Sequence, residues 1–234
     1  MNKLVVGSIV YNEEHRFLEK YLSHIKSYAD EIVLIDDGST DNSLKMCKET
    51  TNHIYKSDRL FIKNELQIRN ALWCRCVELC NNGDFILIQD CDEFFHQDSL
   101  DHLREEIDKC VYYNGDSIAF RLYDLWNENQ YREDMYWQAH RRWWVHTVRY
   151  NSRIRYMWQN TKLHCGRIPI NSYYHAYPSK LQVLHIGYSR EDLRKEKYDF
   201  YMSVDKDGEN GILSQYESIM DSNPNLVNFK SDYT

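Results

Sequence analysis

Leu4 to Val10 and Glu31 to Ile35 are short runs rich in Val and Ile, and Leu18, Leu22, Ile25 and Tyr28 recur between them at helical spacing. That pattern predicts a β-α-β unit. Asn12 is placed to cap the helix with Glu13 and Glu14 in its first turn, and Thr40 or Asp41 to cap a second helix over Asn42 to Glu49. A third strand is expected at His53 to Lys56 and a longer helix from Asn64 to Cys80, ended by Asn81, Asn82 and Gly83. Asp84 to Gln89 is almost uninterruptedly apolar, as a strand buried on both faces should be. A helix starting at Asp98 or Ser99, with Leu100, Leu103, Ile107 and Cys110 inward, leads to a strand over Ser117 to Tyr123. This alternation predicts an α/β fold, a Rossmann-like, mostly parallel sheet with helices on both faces.

After Tyr123 the periodicity weakens and the composition changes. Five of the six Trp lie between Trp126 and Trp158, and residues 121–167 hold nine bases against four acids, a net +5 within a chain of net charge −7. No Pro, Gly or Ser linker marks a boundary, so 1–234 is expected to be a single domain with an irregular aromatic-rich region. Within it, 1–123 is a first part, 124–202 a second, and 203–234 a polar tail. Val183 to Ile186 reads as a late strand, Arg190 to Tyr201 as a charged helix, and Ile212 to Met220 as a short one.

Overall acidity excludes a surface built throughout to grip nucleic acid, and 42% apolar residues exclude a disordered chain. No apolar run approaches the roughly 20 residues of a membrane-spanning helix. Lys3 and the run after it lack a small-residue cleavage site, so the expected location is cytoplasmic, with peripheral contact at a membrane as the variant. The seven cysteines are odd in number and unevenly spaced, and read as reduced core thiols.

Two predicted strands end in acid clusters, Asp36-Asp37-Gly38-Ser39-Thr40-Asp41 and Asp90-Cys91-Asp92-Glu93. Acids after a strand often only cap a helix or face solvent. Carboxyl ends of strands are also where open α/β sheets bind ligands, and carboxylates this crowded call for a cation. Hard oxygen ligands favour Mg²⁺ or Mn²⁺, held by one or two carboxylates plus substrate phosphates.

Val5-Val6-Gly7-Ser8-Ile9-Val10-Tyr11-Asn12-Glu13-Glu14, then Glu31 to Asp41, Arg69-Asn70-Ala71 and Gln89-Asp90-Cys91-Asp92-Glu93-Phe94 together resemble family 2 glycosyltransferases of the GT-A fold. Leu184-His185-Ile186-Gly187-Tyr188 followed by Lys197 resembles the closing segment of several such enzymes, whereas Tyr123 to Leu181 matches loosely. The resemblance implies that Asp36 or Asp37 binds the nucleoside of a sugar nucleotide, with Tyr11 and Glu13 lining the pocket and Arg69 facing the nucleotide or its diphosphate. It implies that Asp90 and Asp92 form a D-x-D motif, the first near ribose or donor sugar, the second on Mn²⁺ or Mg²⁺. His185 would complete the coordination, and Lys197 would approach the diphosphate.

The implied activity is metal-dependent, inverting transfer from a nucleotide-sugar donor, with a UDP-sugar expected, to a hydroxyl of a saccharide, lipid-linked or other acceptor. Such transfer needs a general base, and this chain departs from the pattern there, reading Cys165 after His164 where many members carry His-Glu. Glu93 is the first choice, followed by Asp134 and Asp124. Interleaved Trp and Arg between Trp126 and Trp158 suit a saccharide or lipid-linked acceptor, plain core packing, or nucleic acid. Two alternatives accompany the main reading: transfer to modified nucleic-acid bases, and a non-catalytic nucleotide-sugar-binding module.

Overall fold

The computed structural model describes residues 2–161, 165–209 and 211–233. In chain order the elements are β1 (Leu4–Val10), α1 (Leu18–Lys26), β2 (Glu31–Asp36), α2 (Ser43–Lys48), β3 (His53–Lys56), α3 (Leu60–Lys63), α4 (Glu65–Val77), β4 (Phe85–Ile88) and β5 (Glu93–Phe95). There follow α5 (Gln97–Tyr112), β6 (Ser117–Asp124), β7 (Gln130–Arg132), β8 (Trp144–Arg149), β9 (Ala176–His185), α6 (Glu191–Val204), α7 (Leu213–Ser218) and β10 (Leu226–Asn228). Among the described residues no helix is long and apolar enough to cross a membrane.

Contacts divide the chain into two compact units that interleave along the sequence: 1–91, 102–119 and 145–179 in one, 92–101, 120–144 and 180–234 in the other. This differs from the expected parts 1–123, 124–202 and 203–234. Strand pairing causes the difference. β8, from the aromatic-rich stretch, pairs with β4, whereas β5, which begins at Glu93 of the second acid cluster, pairs with β9 some ninety positions later.

The first unit is an α/β layer in which strands run in the order β3-β2-β1-β4-β8. The first four are parallel and β8 is antiparallel to β4. β1 and β4 are apolar at nearly every position because both faces are covered, and every residue of β4 is buried. The core gathers Val5, Val33 and Ile86 with Ile68, Leu72, Trp73 and Cys76 of α4. Burying each large aliphatic side chain contributes about 1.5–3 kcal/mol. Asn64 caps α4 by accepting from the Gln67 backbone N–H at 3.1 Å, which splits the expected Asn64–Cys80 helix from the short α3 before it. Gly7 permits the close approach of α4 to β1, since a Cβ there would meet Cys76 Sγ at 2.7 Å and Ile88 Cδ1 at 3.0 Å.

Asn12 does not cap α1, which starts at Leu18. It adopts a left-handed φ of 49° and its side chain accepts from the Thr40 backbone N–H at 2.8 Å, tying the loop after β1 to the loop after β2. Cys47, Cys76, Cys91, Cys110 and Cys165 are buried free thiols, as expected, but Cys74 is exposed.

In the second unit β5 pairs antiparallel with β9, and β7 pairs with β10 in a separate two-stranded sheet. Trp126, Trp137, Tyr188 and Ile219 form its core, with Tyr136, Tyr198, Tyr201 and Leu226 packed against them. The buried Arg132 guanidinium lies 4.8 Å from the Trp126 ring centre and is neutralised by Asp134 and Asp221 at 2.5 and 3.1 Å.

Candidate active site

Parallel pairing brings the carboxyl ends of β1, β2 and β4 to one edge of the first unit. Val10 is in register with Asp36, the Asp37 N–H donates to Val10 O at 2.8 Å, and the Gln89 N–H donates to Gly7 O at 3.1 Å. The acid clusters therefore emerge where a parallel α/β sheet offers a ligand crevice. The loop after β1 is tied to the loop after β2 by Asn12 N–H to Ser39 Oγ (3.0 Å), Glu13 N–H to Ser43 Oγ (2.8 Å) and Glu14 N–H to Asp41 (3.1 Å).

Asp36 and Asp37 have different work. Asp37 accepts from Ser57 Oγ at 2.6 Å, from Leu60 N–H at 2.7 Å and from Phe61 N–H at 3.0 Å, so both its oxygens hold the start of α3. Asp36, only 2% exposed, accepts from the Ser39 N–H through Oδ2 at 3.3 Å. Its buried Oδ1 has no hydrogen bond. Tyr11 lies under the Arg59 guanidinium, 3.4 Å from its ring centre, and Glu13 accepts from Arg16 at 2.9 Å.

Asp90 follows β4 and is gripped by two guanidinium groups, Arg69 at 3.3 Å and Arg167 at 2.9 Å. Glu65 accepts from Arg69 one helical turn away at 3.3 Å. Arg167 also lies 3.5 Å from His146 Nδ1. Burial, reinforced by Arg167, holds the His146 imidazole well below its ordinary range, hence neutral. The residue before Asp90 is fixed as well, for Gln89 accepts from the Tyr28 hydroxyl at 2.5 Å. In the sequence Arg167 is one of the nine bases of residues 121–167, and that local positive charge is its only signal.

The second unit holds a four-membered charge cluster. His185, at the end of β9, has Asp124 2.7 Å from Nδ1 and Asp92 Oδ2 3.2 Å from Nε2, while Lys197 of α6 places Nζ 3.0 Å from Asp92 Oδ2 and 3.1 Å from His185 Nε2. Ile186 N–H donates to Asp92 O at 2.8 Å and Leu125 N–H to His185 O at 2.9 Å, which fixes the backbone beneath these side chains. Burial and the Lys197 charge pull the imidazole down, but Asp92 and Asp124 outweigh them and raise His185 to about 9. Burial alone would raise the Asp92 carboxyl; Lys197 and His185 hold it well below the usual carboxylate range. Carboxylate and imidazole thus shift in opposite directions, Asp92 down and His185 up, as an ion pair requires.

Among the described residues no three His, Cys, Asp or Glu side chains form a ready metal cage. Asp92 Oδ2, and His185 Nε2 once its proton is displaced, are nevertheless two convergent donors of the kind a divalent ion would accept. Asp124 on Nδ1 supplies the outer carboxylate that orients a metal-binding imidazole. Gly187 makes room for them, since a Cβ there would overlap Asp92, Lys197 and His185.

The candidate bases differ in setting. Glu93 is 1% exposed, on β5 opposite His185 in the ladder. Asp124 is occupied with His185. Asp134 is bound to Arg132 and accepts from the Tyr136 and Trp137 N–H groups at 2.9 and 3.3 Å. His164, whose His-Cys sequence departs from the family pattern, lies outside the described residues.

The family model for "Glycosyl transferase family 2" matches residues 6–168, well over half of the chain. The chain belongs to glycosyl transferase family 2. Over 133 residues it is 34% identical to the glycosyltransferase GlyA of Streptococcus pneumoniae, a match covering 55% of this chain and 18% of GlyA. This family 2 chain thus spans under a fifth of that relative's length. TarS of S. aureus shares its fold with a TM-score of 0.52 at 13% identity, covering 94% of this chain and 42% of that one. The structure of TarS 1–349 in complex with UDP has a TM-score of 0.51 at 14% identity, covering 93% and 69%. At such identities the likeness shows the fold alone, in agreement with the expected GT-A architecture.

Proposed function

We propose that the chain transfers a sugar from a nucleoside diphosphate donor, with UDP as the carrier, to an acceptor hydroxyl, with inversion at the anomeric carbon and with the help of Mn²⁺ or Mg²⁺. The observation that carries this reading is the Asp124–His185–Asp92 relay, a carboxylate-backed imidazole beside a carboxylate, in a chain whose second acid cluster reads Asp90-Cys91-Asp92. UDP is favoured because TarS, whose fold is shared, has been crystallised with UDP.

Asp36 receives the nucleoside, since Asp37 has spent its oxygens on α3 and Asp36 Oδ1 is an unused acceptor. Tyr11 and Glu13 line that pocket. Asp90 is set by Arg69 and Arg167 to meet the ribose or the donor sugar, with the two guanidinium groups as counter-charges. Asp92 and His185 would hold the divalent ion, which would supply positive charge against the departing diphosphate. The acceptor oxygen attacks the anomeric carbon, the bond to the β-phosphate oxygen breaks, and the hydroxyl proton passes to a carboxylate. Glu93 takes that role, because it lies in the β5–β9 ladder opposite His185, beside Asp92 in sequence.

The acceptor side is read from Arg142, Trp143 and Trp144, an exposed basic and aromatic run in which the Trp rings are 46% and 36% exposed. Such rings stack on sugar faces and Arg suits phosphate, which fits a saccharide or lipid-linked, anionic acceptor.

The test is UDP release from UDP-sugars with Mn²⁺ or Mg²⁺. Asp92→Ala should abolish turnover, and Glu93→Gln should lower it about 10²–10⁴-fold while UDP still binds. Full activity in excess chelator would contradict the metal assignment. UDP binding with no turnover of any donor would favour a non-catalytic binding module.

A further inference from the structure

Lys197 Nζ is within 3.1 Å of both Asp92 Oδ2 and His185 Nε2, the two atoms assigned above to a divalent cation. The face of the Tyr188 ring supports the ammonium from a third side, 4.4 Å from ring centre to Nζ. Gly187 closes the fourth side so tightly that a Cβ there would overlap the ammonium itself together with Asp92 and His185. The position is therefore already filled by a positive charge, and at these distances an ammonium and a divalent ion exclude each other.

We infer that Lys197 is a resident counter-ion that closes the Asp92–His185 cation position until a nucleoside diphosphate draws its ammonium away. The inference rests on the proposed metal and nucleotide reading and adds an order to it. Lys197 sits at the end of a flexible four-carbon stem on α6, so it can leave Asp92 by rotamer change alone. A diphosphate gives the ammonium a more highly charged partner, and the vacated carboxylate is then neutralised by the metal. Nucleotide and divalent ion consequently help each other bind, and linkage makes the help reciprocal. Without nucleotide, the site holds its own cation.

The experiment is titration of the whole chain with Mn²⁺, following free Mn²⁺ by electron paramagnetic resonance, with and without UDP. Wild type should bind Mn²⁺ weakly alone and more tightly with UDP. Lys197→Met should bind Mn²⁺ alone about tenfold more tightly and gain less from UDP, while Lys197→Arg stays weak. Lys197→Gln, uncharged but able to hydrogen-bond Asp92, carries the same expectation should the Met variant fold poorly by circular dichroism. Unchanged or weaker Mn²⁺ affinity in the folded uncharged variant overturns the inference. Adding Asp92→Asn separates the two failures. If Mn²⁺ binding survives that change, the metal assignment itself falls; if binding is lost yet the uncharged variant was no tighter, the metal assignment stands and the role of Lys197 falls.

Discussion

Asp124 and His185 are joined through Nδ1 at 2.7 Å, which leaves Nε2 turned towards Asp92. The carboxylate acts through the imidazole, fixing its ring orientation. Asp124→Asn should weaken Mn²⁺ binding about 10–100-fold in the presence of UDP, measured calorimetrically, while the far-ultraviolet circular dichroism is unchanged. Gly187→Ala should have at least as large an effect, because its methyl group displaces Asp92 and His185 directly.

The adjacent Asp36 and Asp37 should separate ligand binding from stability. Asp37→Ala removes the acceptor of Ser57 Oγ and of the Leu60 and Phe61 N–H groups, and should cost about 1–3 kcal/mol in urea unfolding. Asp36→Asn should leave the unfolding midpoint close to wild type and reduce UDP affinity. The reverse assignment of the two effects would contradict the division.

Trp143→Ala and Trp144→Ala should raise the KM for acceptor while leaving donor hydrolysis unchanged, since both rings are exposed. Trp126→Ala, in the core of the second unit, should instead destabilise the fold by about 3–5 kcal/mol. Thermal melts paired with acceptor titrations distinguish these outcomes.

His24 gives the stability a pH dependence. Burial, aided by Lys20, depresses its imidazole from 6.5 to about 4. Between those values the unfolded chain takes up a proton that the native one refuses, so stability is full above about 6.5 and falls as the pH drops towards 4. His24→Gln should flatten the urea midpoint over that window. An identical slope in wild type and variant would contradict the assignment.

The elements legible in the sequence are those whose partners are close by or whose burial is complete. β4 is apolar throughout and β1 and the centre of β2 nearly so because both faces are covered, and α5 shows its inward Leu103, Ile107 and Cys110 at helical spacing. β5 is not legible because it has three residues, begins with the last acid of the cluster and exists through pairing with the distant β9. β8 was hidden by Trp and Arg, although Val145, Thr147 and Val148 carried a β-branched signal. Composition between Trp126 and Trp158 mixed two functions that only packing separates: Trp126 and Trp137 are core, whereas Trp143 and Trp144 are exposed. In the site, the acid clusters and their strand-end placement were readable. Arg167 on Asp90 was not, because nothing in the spacing of an ion pair 77 residues apart announces it.

The most direct test of the central claim is calorimetric titration of the chain with UDP, with and without Mn²⁺, in wild type, Asp36→Asn and Asp92→Asn. The account predicts UDP binding that Mn²⁺ strengthens in wild type, that Asp36→Asn weakens under both conditions, and that loses its Mn²⁺ dependence in Asp92→Asn. Absence of UDP binding by the folded wild type, or a Mn²⁺ effect that survives Asp92→Asn, would contradict it.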